Sequence, residues 1–131
     1  MQVVKPLDIE DALRIDLAEI DESHRYFATP IPPDLDAGDV LITSVGGARV
    51  SGASHAYDVS VDCYGENEAE AAALADLVHG EIVSLPLRST DTEYKNANAN
   101  LPYKNFDPRA AKLARYTFRA TVTCSGQRLS F

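Results

Sequence analysis

Two stretches of this sequence alternate so strictly that only one kind of backbone satisfies them. From Tyr57 to Cys63 every odd-numbered residue is apolar and every even-numbered one polar, and from Arg115 to Cys124 the residues Tyr116, Phe118, Ala120, Val122 and Cys124 alternate with Arg115, Thr117, Arg119, Thr121 and Thr123. A period of two places successive side chains on opposite faces, so both segments are strands of a sheet with one dry and one wet face. If they are neighbours, Asp58 and Asp62 lie opposite Arg115 and Arg119. Such exposed pairs contribute roughly 0.2 to 1 kcal/mol each and set register more than stability.

A sheet with one dry face needs a cover, and two segments supply it. Asp8 to Ile20 reads as a helix with Asp8 as N-cap, acids in its first turn, and the stripe Ile9, Leu13, Leu17 and Ile20; Glu10, Asp16 and Glu19 are left for water. Asn67 with Glu70 three residues on is a capping-box-like start to a longer, alanine-rich helix reaching about Leu85. Its stripe is Ala71, Leu74, Val78 and Ile82; Pro86 stops it, and Gly80 is a point where it could fray. Between these, Asp39 to Val45 reads as a strand, Gly46-Gly47 as a hairpin turn, and the residues from Ala48 as a weaker return strand.

The remaining chain reads as two long loops. Residues 21–38 carry Pro30, Pro32, Pro33 and Gly38, and residues 95–111 carry the run Asn96 to Asn100 followed by Pro102 and Pro108; a short strand at Thr90 to Lys95 precedes the second loop. Loops of such length inside a compact domain are commonly functional, and we read them as contact arms. The fold class expected is therefore α+β: a mainly antiparallel sheet packed on one face by a long helix, with an N-terminal helix and two long loops, all in a single domain spanning 1–131.

Several function classes lose support here. The chain has 20 acidic against 12 basic residues, a net charge of −8, which disfavours gripping nucleic acid by its phosphates. No apolar run approaches the ~20 residues of a membrane span, and Met1 to Pro6 does not read as a secretory leader, so a cytoplasmic site of synthesis and assembly is expected. Cys63 and Cys124 lack zinc-site spacing and read as small buried hydrophobes. His24, His55 and His79 each stand without a second ligand at metal-binding spacing. His79-Gly80-Glu81 lacks the downstream cysteines of a deaminase, and Gly52-Ala53-Ser54-His55 is no nucleophile elbow. Asp58 and Asp62 are ~13 Å apart along a strand, too far to share an ion. With no phosphate-cradling glycine motif either, no catalytic residue, cofactor or metal is expected, and the chain reads as a protein-binding one.

The order of elements, the strand Ala56-Tyr57-Asp58-Val59-Ser60-Val61-Asp62-Cys63-Tyr64-Gly65, the helix start Glu68-Ala69-Glu70-Ala71-Ala72-Ala73-Leu74-Ala75 and the opening Ala114-Arg115-Tyr116-Thr117-Phe118 of the last strand together resemble the tail terminator proteins of long-tailed bacteriophages. The resemblance covers most of the chain through soft motifs and transfers no site residue. It implies a non-enzymatic virion subunit of a hexameric ring at the junction of tail and neck. That ring would cap the tail tube, stop tube polymerisation and meet the head-tail connector or stopper; its partners would be itself and those two proteins. Another neck, connector or minor tail protein, a small ligand-binding α+β domain and, last, a hydrolase are the alternatives.

Candidate contact residues come from the chain itself. Tyr26, Phe27, Tyr103 and Phe106 are aromatics in the two arms, and aromatic residues are enriched at interfaces. Lys104, Arg109, Lys112 and Arg115 form a basic cluster in an acidic chain, suited to an acidic neighbour. Folding back onto their own core, or simple solvation, is the competing expectation for both groups.

Overall fold

The computed structural model describes the backbone of residues 2–5, 7–28, 31–125 and 127–130, and the side chains of 7–28 and 31–125. The elements are β1 (Gln2–Lys5), α1 (Ile9–Ile20), β2 (Arg25–Phe27), β3 (Asp39–Arg49), β4 (Ser54–Gly65), α2 (Glu68–Val83), β5 (Tyr94–Ala99), β6 (Tyr103–Lys104), β7 (Ala114–Ser125) and β8 (Gln127–Ser130), with 3-10 turns at Leu85–Leu87 and Pro108–Ala110. The main sheet runs β2-β3-β4-β7-β5, with β6 also paired to β7, while β1 and β8 form a separate antiparallel ribbon. Every pairing is antiparallel except β2 with β3. The expected α+β class and its mainly antiparallel sheet stand.

The two alternating strands are the centre of the sheet. β4 and β7 pair in unbroken register from Ser54 opposite Ser125 to Gly65 opposite Ala114. Tyr57, Val59, Val61 and Cys63 of β4 join Phe118, Ala120, Val122 and Cys124 of β7 on the dry face, all buried, and both cysteines are free thiols. Onto this face α2 lays Ala71, Leu74, Ala75, Val78 and Ile82, and α1 adds Ile9, Leu13 and Leu17. Both expected caps are present: Asp8 accepts from the amide of Asp11, and Asn67 from that of Glu70. The second helix continues through Gly80 to Val83 before Pro86 enters the 3-10 turn. Gly65 lets that helix approach the sheet, since a Cβ there would stand 2.5 Å from the Ala71 nitrogen.

Five expectations are corrected. The Gly46-Gly47 pair is not a turn: β3 passes through it by a bulge, and the chain reverses at Val50 to Ala53. Gly46 has φ 137°, a conformation only glycine adopts easily, and a Cβ on Gly47 would sit 2.3 Å from the Ala56 carbonyl oxygen, so the glycines let the ladder continue. Residues 21–38 are not wholly loop, because Arg25–Phe27 pairs in parallel with Asp39–Leu41. The strand expected at Thr90 to Lys95 lies instead at Tyr94–Ala99, where β7 supplies hydrogen-bond partners to the asparagine run despite its poor strand propensity. Residues 95–111 therefore hold two short strands and a 3-10 turn. Asp16, expected in water, is 1% exposed, its carboxylate accepting from the Tyr94 hydroxyl at 2.6 Å.

Candidate interaction surface

At one end of the sheet the face expected to be wet is roofed over. Leu41 and Tyr64 are fully buried there beside Asp62, Thr117 and Asp107. The roof is made by the two long connections, and polar contacts hold it down. Asp107 begins a 3-10 turn, accepting from the Arg109 amide at 2.9 Å, and also receives the Tyr64 hydroxyl at 2.8 Å and Arg109 Nε at 3.0 Å. Arg115 donates to the carbonyl oxygens of Asn105 and Phe106, both at 2.9 Å, and approaches Asp107 at 3.5 Å and Asp62 at 3.9 Å. On the first connection Arg25 grips Asp39 at 2.7 Å, and the Gly38 amide donates to the Tyr64 carbonyl.

The electrostatics follow from burial and donors. Burial alone would raise the Asp107 carboxyl, but the bonds from Arg109 and Tyr64 and the nearby Arg115 charge outweigh it and hold the group at about 2. Burial, the Asp107 bond and nearby carboxylates push the Tyr64 hydroxyl well above its ordinary range. On the other face Glu81 is raised by burial and the Asp21 charge, and accepts a long 3.4 Å bond from Tyr26.

The cross-strand charge pairs expected between β4 and β7 form only in part. Asp58 and Asp62 stand opposite Thr121 and Thr117 and accept from their hydroxyls at 2.6 and 2.7 Å; Arg115 reaches Asp62 from the side, and Arg119 lies opposite Ser60. The register shifts the arginines out of line with the aspartates.

The candidate contact residues separate into two sets. Tyr26 is 7% exposed and belongs to the core, Arg115 holds the roof, and Phe27 is half-buried under the Arg25 guanidinium at 5.0 Å. Phe106 at 65% and Tyr103 at 46% exposure project outward, and Lys104 pairs with Glu68. Lys112 and Arg109 flank an open groove of about 680 Å³ between the connections, lined by Ile31, Pro32, Pro33 and Leu35 on one side and residues 108–113 on the other. A second hollow beside it brings Lys104, Phe106, Lys112 and Arg115 together with Asn67 and Glu68.

Surfaces missed in the sequence are the sheet edges. β5 ends the sheet on one side, and on the other β2 covers the outer edge of β3 only as far as Leu41, so from Ile42 to Ala48 that edge carries no further strand among the described residues while its inner edge pairs with β4. One amide of that open stretch, Ser44, is taken by Glu10 at 2.7 Å. Sheet edges of this kind pair readily with another chain. The signal for them is the Asn-Ala alternation, which reads as loop, and the double glycine, which reads as a hairpin turn.

Among the described residues none of the three histidines belongs to a group of side chains that could hold a metal ion. His79 packs edge-on against Phe118, His24 lies 3.7 Å from Asp21, and both ring nitrogens of buried His55 lack a hydrogen bond. Among the described residues no helix is long and apolar enough to cross a membrane.

No family model matches the chain, and neither does any curated protein. A solved structure does: a chain in a structure described as the virion of a native gene transfer agent particle aligns with a TM-score of 0.58 at 17% identity, over 90% of this chain and 95% of that one. The two share a fold over nearly their whole lengths.

Proposed function

We propose that this chain is a structural, non-catalytic subunit of a phage-like virion that closes into a ring, hexameric as the tail-terminator resemblance implies, on the end of a tail tube. There it ends tube growth and presents its other side to the head connector. The observation that carries this reading is the fold shared, nearly end to end, with a chain from a gene transfer agent virion. The two open edges at opposite sides of the sheet support it: a contact between one edge of a copy and the opposite edge of the next is head-to-tail, and such contacts close into rings when the rotation allows. Exposed Phe106, Tyr103 and Lys112, with the groove beside them, are the proposed contact to the neighbouring subunit or tube. An acidic chain also suits a lumen through which DNA passes without sticking.

The test is mass by light scattering with negative-stain images, alone and with tail tubes. Six-fold rings or capped tube ends support the reading. Binding to head connectors alone turns it towards another neck protein, and a monomer indifferent to both refutes it.

A further inference from the structure

We propose that Asp16, Glu19 and Asp91 form a binding site for a hard divalent cation, best suited to calcium, that fastens α1 to the segment leading into β5. Sequence reading gave α1 only a packing role and the chain no metal. Asp16 and Glu19 stand three residues apart on α1 and Asp91 comes from far along the chain, and one oxygen from each lies within 4.8 Å of the others. Two oxygens on one ion at a Ca–O distance of about 2.4 Å stand at most about 4.8 Å apart, so small side-chain adjustments let a single ion touch all three, with water completing the shell. The donor set is oxygen only, as calcium and magnesium prefer. The spread of the oxygens suits the larger ion, since magnesium demands a tight octahedron.

The cluster is more than a chance gathering of surface acids. Asp16 is 1% exposed; its Oδ2 accepts from Tyr94, and its Oδ1 is buried with no hydrogen-bond partner. Thr92 and the Asp91 backbone lie near enough to ease the Asp16 charge, but neither makes a well-formed hydrogen bond to Oδ1. Buried carboxylate oxygens are normally satisfied, and an orphan one calls for an ion or water. No lysine or arginine makes a salt bridge with any of the three acids among the described residues. Glu19 and Asp91 are exposed, which gives an ion a way in. A cation here would relieve the like-charge crowding at the carboxylate that carries the orphan oxygen.

Terbium, a luminescent stand-in for calcium, is the probe, because a tyrosine close by sensitises its emission and the Tyr94 hydroxyl is 2.6 Å from Asp16. The purified full chain is titrated with terbium under tyrosine excitation, then with calcium as competitor, alongside Asp91→Asn and Glu19→Gln. Both substitutions change exposed side chains, and circular dichroism checks that the fold is kept. The expected result is saturable emission at one ion per chain, displaced by calcium and reduced at least tenfold in each variant. Calcium at a hundredfold excess over Kd then raises the melting midpoint of the parent by about 5 to 10 °C and that of Asp91→Asn hardly at all. No saturable emission, or equal emission from parent and folded variants, overturns the site. So does a melting shift that is the same in all three proteins.

Discussion

Replacing Asp107 by asparagine keeps the shape of the roof and removes its charge. The carboxylate is buried, receives Tyr64, the Arg109 side chain and the Arg109 amide, and lies 3.5 Å from Arg115. Its pKa falls from an ordinary 3.8 to about 2. A depressed folded-state value means that the folded state favours the ionised form, so the stabilisation is present above the unfolded value and lost as pH falls through the folded one. At about 1.4 kcal/mol per pH unit the full linkage is about 2.4 kcal/mol. The half-exposed Arg109 partner is screened by water, which reduces the expectation to about 1 to 2 kcal/mol. Urea unfolding followed by tyrosine fluorescence should show Asp107→Asn less stable by that amount near neutral pH. The gap should close between about pH 4 and about pH 2 as the parent carboxyl protonates. A loss below about 0.5 kcal/mol, or a gap that persists unchanged into acid, would refute the assignment of Asp107 as an ionised clamp.

Three further outcomes follow from single contacts. Gly47→Ala drives a Cβ into the Ala56 carbonyl, so it should cost about 1 to 3 kcal/mol and speed amide exchange in the β3–β4 hairpin more than in β7. Asn67→Ala removes the cap on the Glu70 amide and should cost about 1 kcal/mol in thermal unfolding, while Asn67→Asp should retain most of it. Phe106→Asp changes a side chain 65% exposed and should leave the melting midpoint within about 2 °C while weakening assembly on tubes; unchanged assembly would remove Phe106 from the proposed contact.

What was legible from the residues is what repeats. Residues 57–63 and 115–124 have an unambiguous period, which made both legible as strands with a dry face, while the register that places Asp58 and Asp62 opposite threonines left no trace in it. The helices were legible from their caps and stripes, because Asp8 and Asn67 satisfy amides only a few residues away. Distant partners left no such trace. Asn96 to Ala99 become a strand only because β7 is beside them, and the double glycine extends a strand because Ala56 crowds it from across the ladder. Asp16 looked like a solvent-facing acid until Tyr94 arrived 78 residues later. The candidate contact aromatics divide for the same reason: Tyr26 is drawn inward by its short parallel strand and by Glu81, whereas Phe106 lies beyond the reach of any core.

The central ladder also sets the order in which the molecule can be built. Ser54–Gly65 pairs with Ala114–Ser125, so its innermost partners are separated by the whole of α2 and both short strands after it. Closing so long a loop before any rung forms slows the search, and proteins dominated by such distant pairings fold in milliseconds to seconds. On the ribosome β3 and β4 emerge as a hairpin long before β7, leaving one side of β4 open while α2 already offers its apolar stripe. During that interval the nascent chain displays an unpaired strand of high β propensity, a hazard for self-association. Synthesis of β7 closes that gap, so slowing translation just before residue 114 should lower soluble yield without changing the finished fold.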